Sequence, residues 1–175
     1  MATIKCTKKL QVLLSAPLHE RAESSAEDWH ADLVRIERRR YVLFCHDETR
    51  LSCLSGAVRK PDVRDLGGLL RESLLEVLRD ERLEAEEIER ALQPLAGATL
   101  GPTDSRSVLG TMTDNIFQLR HHVEYGGGMA RTNPLELARR LNHMPIFPIG
   151  GGYAIDALKE RLTRPRRGGR CSGAR

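Results

Sequence analysis

The stretch Ala31-Asp32-Leu33-Val34-Arg35-Ile36-Glu37, followed closely by Arg40-Tyr41-Val42-Leu43-Phe44-Cys45, decides the fold class. In the first part Leu33 falls on one face of an extended chain, and Val34 and Ile36 share a parity. The second part is richer still in β-branched and aromatic side chains. After the polar turn His46-Asp47-Glu48-Thr49, the segment Leu51–Leu54 resumes the apolar pattern. Three such runs joined by short polar turns predict an antiparallel meander. Upstream, Thr3–Cys6 reads as a further strand running into a short helix or turn at Lys8–Leu14. Residues 15–28, with Pro17, Ser24 and Ser25, read as a loop.

Downstream of Pro61 the period changes. Val63, Leu66, Leu69, Leu70, Leu74, Val77 and Leu78 recur at steps of three and four, which predicts a helix capped by Asp62 and ending near Asp80. A second helix spans about Glu84–Gln93 and ends at Pro94. A short strand is expected near Ala98–Leu100. A third helix, capped by Asp104 or Ser105, carries the stripe Val108, Met112, Ile116, Leu119 and Val123 up to the glycines at 126–128. Asn133, Pro134 and Glu136 form the start signal of a fourth, and Ala154–Leu162 is a last short one.

The expected fold is therefore α+β. An antiparallel β-meander of three or four strands, drawn from the first 56 residues, is covered on one face by four or five C-terminal helices. Residues 1–162 are expected to form one such domain. Residues 163–175, rich in Arg and Gly and without apolar periodicity, are expected to form a disordered tail.

Charge and composition narrow the function classes. The chain has 175 residues and a net charge of +4. Six of its 28 basic residues lie after Glu160 with no acid among them, leaving 22 against 24 acids and a balance of −2 in the body. The basicity is thus a property of the tail rather than of a fold-wide binding face. No apolar run approaches the roughly 20 residues of a membrane helix, and the N-terminus is too polar for a secretory signal. A cytoplasmic protein with no membrane contact is expected. Cys6, Cys45, Cys53 and Cys171 form no C-x-x-C pair and match no zinc module, so reduced thiols on strands are expected for the first three.

Two segments are candidates for function. The first is Thr103-Asp104-Ser105-Arg106-Ser107 through Asp114-Asn115, over the opening turns of the third helix. Unpaired N–H groups and a partial positive charge at a helix start suit an anion, so Ser105, Arg106, Ser107, Asp114 and Asn115 are candidates for holding a phosphate or carboxylate. Capping and close helix packing account for the same residues without a ligand. The second is the arginine run Arg35, Arg38, Arg39 and Arg40 across a hairpin turn, with Trp29 and Tyr41 near. A basic β-ribbon can follow a phosphate backbone, although hairpin tips are also commonly charged for solubility.

His121, His122 and Glu124 could supply part of a metal set, with His46, Asp47 or His143 as a third ligand, but helix C-termini favour histidine anyway. No metal or cofactor is expected. No phosphate-loop motif follows the glycine triplets, and no catalytic residue can be singled out.

The order of segments resembles a small bacterial domain family of unknown function. The likeness rests on Cys6-Thr7-Lys8-Lys9-Leu10, Asp28-Trp29-His30-Ala31-Asp32-Leu33 and Arg140-Leu141-Asn142-His143-Met144-Pro145. Ile155-Asp156-Ala157-Leu158 belongs to it as well. The most specific part is Ser105-Arg106-Ser107-Val108-Leu109-Gly110-Thr111-Met112-Thr113-Asp114, in which Thr113 stands where the family has Asn. The resemblance covers about residues 2–162. It implies a bacterial, cytoplasmic protein and carries no activity or catalytic residues. The expected function is a noncatalytic module for a nucleic-acid or protein partner, in a plasmid, phage or toxin–antitoxin setting. The alternative is a small enzyme acting on a phosphorylated or nucleotide ligand at the helix starting near Ser105.

Overall fold

The computed structural model describes residues 1–14 and 24–164; most of the expected loop at 15–28 and of the expected tail lies outside the described residues. Four strands come from the first third of the chain: β1 (Thr3–Cys6), β2 (Trp29–Ile36), β3 (Arg39–His46) and β4 (Ser52–Leu54). A fifth, β5 (Thr99–Pro102), joins them in one sheet of order β4-β3-β2-β1-β5. Six α-helices accompany it. They are α1 (Lys8–Leu14), α2 (Leu66–Asp80), α3 (Ala85–Leu92), α4 (Arg106–Tyr125), α5 (Pro134–Asn142) and α6 (Ala154–Thr163). A minimal ribbon of β6 (Pro145–Ile146) and β7 (Gly152–Tyr153) precedes α6.

The sheet departs from the expected antiparallel meander: it is mixed. β2, β3 and β4 are antiparallel neighbours, whereas β1 runs parallel to both β2 and β5. Parallel neighbours cannot be joined by a tight turn and need a crossover. Helix α1 lies in the first crossover, and α2 and α3 lie between β4 and β5. The helices number six, one of them before the meander.

Helices also cover both faces, not one. Val42 and Phe44 of β3 enter a core with Ile4, Cys6, Ala31 and the apolar sides of α2 and α6. Tyr41, Leu43 and Cys45, of opposite parity, enter a second core with Val108, Met112, Leu119 and Val123 of α4 and Leu137 and Leu141 of α5. The unbroken apolar run Tyr41–Cys45 is the pattern of a strand buried on both sides.

Local chemistry sets the helix starts. Asp65, not Asp62, caps α2, its carboxylate accepting from Gly68 N at 2.8 Å, because residues 62–64 form a separate 3-10 turn. Ser105 Oγ accepts from Val108 N at 3.3 Å to start α4. Asn133 Oδ1 accepts from Glu136 N at 2.8 Å to start α5, with Pro134 in the first turn. Among the described residues no helix is long and apolar enough to cross a membrane.

Candidate functional site

Strand alternation puts Lys5 on the opposite face of β1 from Ile4 and Cys6, beside His30, its register partner on β2. Both are buried. Lys5 Nζ lies 2.9 Å from Asp47 Oδ2, 2.9 Å from Asp104 Oδ2 and 3.1 Å from Asp28 Oδ2, and donates to Ser24 Oγ at 2.9 Å. Asp28 immediately precedes β2, Asp47 follows β3, and Asp104 lies between β5 and α4. Three chain reversals thus meet over one ammonium group.

Burial by itself would lower the Lys5 pKa, but the bonds it donates to Asp47, Asp104 and Asp28 outweigh this and raise the group above its ordinary value. Burial would likewise raise Asp47, yet the bonds from His30 and Lys5 prevail and hold its carboxyl below the usual range. His30 Nδ1 meets Asp47 Oδ1 at 2.6 Å, while its Nε2 faces Asp104 Oδ1 at 3.5 Å. Among the described residues neither of those last two atoms has a hydrogen-bond partner, although both are buried. Next to this cluster Asp32 accepts from Thr7 Oγ1 at 2.5 Å and lies 3.5 Å from Lys9 Nζ.

The expected anion-binding residues separate. Ser105 spends its hydroxyl on the cap. Ser107 Oγ accepts from Arg50 Nη2 at 3.2 Å, and Arg50 Nε and Nη1 are buried without partners among the described residues. Arg106 and Asp114 are exposed. Asn115 is buried and donates from Nδ2 to Ser52 Oγ at 2.9 Å.

Arg35, Arg38, Arg39 and Arg40 do come together. Glu37 and Arg38 both have positive φ, 45° and 69°, which makes the β2–β3 connection a two-residue left-handed turn built without Gly or Asn. Arg35 pairs in register with Arg40 across the hairpin. With Arg59 and Lys60 these four line a concavity of about 460 Å³ floored by Ala57 and Val58. Among the described residues only Arg59 of the six is in an ion pair, with Asp62 at 3.8 Å. Glu37 turns away, its Oε1 accepting from Met129 N at 3.1 Å. On the other side of Ala57 and Val58 lies a larger cleft of about 880 Å³, bordered by the acids Asp62, Asp65, Glu72 and Glu76.

The metal-binding residues suggested by the sequence are dispersed. The rings of His121 and His122 are 6.1 Å apart, His143 Nε2 pairs with Glu81 at 2.6 Å, and His46 is buried against Trp29. The one group among the described residues with His and carboxylate atoms all within 4.8 Å of each other is His30, Asp47 and Asp104. Its members come from strand β2, the turn after β3 and the loop before α4, so the sequence marks only Asp47 of the three as a candidate ligand. The alternation around Lys5, a charged residue in an otherwise apolar strand, was the one available signal. Cys6, Cys45 and Cys53 are buried free thiols, and burial pushes Cys6 and Cys45 up to about 12.

The chain belongs to a family described as Domain of unknown function (DUF6933), which it matches over residues 3–157. No curated protein matches it.

Proposed function

We propose that this member of a family of unknown function is a noncatalytic module that grips the phosphate backbone of a nucleic acid with its β2–β3 hairpin. The observation that carries the reading is the concavity lined by Arg35, Arg38, Arg39, Arg40, Arg59 and Lys60, with the one acid of the turn drawn off to Met129 N. Like charges gathered around a hollow repel one another unless an anion joins them, and a polyphosphate chain offers anions at regular spacing. Two non-glycine residues in left-handed conformations at the tip are a local cost that fits a presented recognition element. The acidic cleft beyond Val58 would repel the same ligand, so the footprint is short and confined to the hairpin side.

The test is fluorescence anisotropy with labelled RNA and DNA, single-stranded and duplex, over a series of salt concentrations. Binding should weaken with salt at a log–log slope of about −3 to −5 for duplex, as six or fewer phosphate contacts require. Arg38→Glu with Arg39→Glu should lower affinity about tenfold or more and leave the melting temperature unchanged. Absence of binding to every probe at low salt would overturn the proposal.

A second reading is favoured by Arg50. Its Nε and Nη1 are unpartnered beside Ser107 in the first turn of α4, an arrangement suited to a phosphorylated or nucleotide ligand of a small enzyme. On this reading inorganic phosphate or a nucleotide raises the melting temperature of the wild type and not of Arg50→Ala.

A further inference from the structure

We propose that His30 and Asp104 are the protein ligands of a divalent transition-metal site, with Asp47 as the carboxylate that orients the imidazole. The proposal is independent of the hairpin and of nucleic-acid binding.

Among the described residues His30 is held by one ring nitrogen only. Its ring is fully buried, and Nδ1 is held at 2.6 Å by Asp47 Oδ1. A proton on Nδ1 satisfies that contact and leaves Nε2 as a bare lone pair. A carboxylate behind one ring nitrogen, with the other nitrogen free, is the usual support of a metal-bound histidine.

Asp104 Oδ1 stands 3.5 Å from Nε2, and both atoms are buried without a hydrogen-bond partner among the described residues. Two electron-rich atoms confronting each other away from water are costly unless a cation lies between them. With metal–ligand bonds of about 2.0–2.1 Å, a separation of 3.5 Å corresponds to an angle of about 115–120° at the metal, open enough for a tetrahedral or five-coordinate ion.

Asp28, Asp47 and Asp104 surround a single ammonium, that of Lys5. With His30 neutral the group carries two uncompensated negative charges, which one divalent cation cancels. Lys5 occupies Oδ2 of Asp47 and of Asp104, so it offsets one of the three charges without filling the gap at Asp104 Oδ1.

The donor set names the class of ion. An imidazole nitrogen with a carboxylate oxygen and no thiolate suits Zn²⁺, Mn²⁺ or Fe²⁺ better than Mg²⁺ or Ca²⁺, which prefer all-oxygen shells. Cys6 lies on the other face of β1 and cannot contribute. His30 Nε2 and Asp104 Oδ1 are themselves buried, so water completing the shell would have to enter past the other atoms of the Asp47 and Asp104 side chains, which are 13% and 14% exposed.

The competing arrangement puts a proton in the gap, making His30 an imidazolium shared by two carboxylates. The full chain, stripped with chelator, is titrated with Zn²⁺ or Co²⁺ alone by calorimetry, with the Co²⁺ visible spectrum and the melting temperature as further readouts. Expected are one equivalent bound, ligand-field bands that include nitrogen, and a melting temperature that rises with Zn²⁺. Asp104→Asn should abolish binding, Asp47→Asn should weaken it about 10- to 100-fold, and His121→Ala with His122→Ala should leave it unchanged. His30→Gln should also abolish it; if that variant does not fold, Asp104→Asn, at the cluster's edge, decides the matter. The proposal is overturned by no binding in the wild type, by binding that survives Asp104→Asn, or by nitrogen NMR that finds His30 doubly protonated at neutral pH with no response to Zn²⁺.

Discussion

Asn142 closes the edge of the sheet on Ser52. Its Oδ1 accepts from Ser52 N at 2.8 Å and its Nδ2 donates to Ser52 O at 2.9 Å. The side-chain amide thus reproduces the pairing a further strand would give to edge strand β4. Asn142 is fully buried, so water cannot replace it. Asn142→Ala should cost on the order of 3 kcal/mol, because one donor and one acceptor of Ser52 are left unpaired. Denaturant unfolding measures it; a loss below about 1 kcal/mol would mean that the edge finds other partners.

His46 should give the protein an acid-sensitive stability. Burial first, then the charge of Arg161, lowers its pKa from 6.5 to about 3. Thr49 N donates to its Nδ1 at 3.2 Å, which requires that nitrogen to be unprotonated. The unfolded chain takes up a proton near pH 6.5 and the folded chain only near 3, so stability is full above 6.5 and falls as pH drops through this window. His46→Gln should flatten that part of the profile in urea melts at stepped pH. An unchanged slope would show that other groups take up the proton.

Asp47 acts at lower pH. Burial would raise it, but His30 and Lys5 more than offset this, and its folded pKa lies below 3.8. A depressed carboxylate adds stability above its unfolded value, lost as pH falls through the folded one. Asp47→Asn should therefore lower stability at pH 7 and weaken the dependence below about pH 4. Equal losses at pH 7 and pH 2 would contradict this.

Gly128 fixes the hairpin to the end of α4. Its φ is +85°, and an added Cβ would stand 2.6 Å from Glu37 Oε1, the acceptor for Met129 N. Gly128→Ala should cost about 1–2 kcal/mol from left-handed strain and release the Glu37 carboxylate toward the arginines. A thermal melt gives the first effect. The second should appear as weaker polyanion binding than the wild type shows.

Arg106→Ala should leave the melting temperature unchanged, since Arg106 is exposed and has no ion pair among the described residues. A large loss would assign the residue a packing role on α4.

The sequence by itself determined most of the elements, leaving α1 as a helix or turn and the β6–β7 ribbon unread. The alternation around Leu33–Ile36, the apolar run Tyr41–Cys45, the 3.6 period of α2 and α4, and the caps at Ser105 and Asn133 are all set by residues within a few positions of one another. The arginine hairpin was legible for the same reason, since Arg35 and Arg40 face each other across one short turn. What only the tertiary structure decided is what depends on contacts distant in the chain. A strand's own side chains do not state the direction of its neighbour, so the parallel placement of β1 between β2 and β5 was hidden. Nor does a helix stripe say which face of the sheet it will cover. Asp104 reads locally as a cap for α4, and His30 as one residue of a strand; only the docking of β5 beside β1 carries Asp104 to Lys5 and His30. The energy that holds them together is long-range, and the spacing of residues in one chain holds no trace of it.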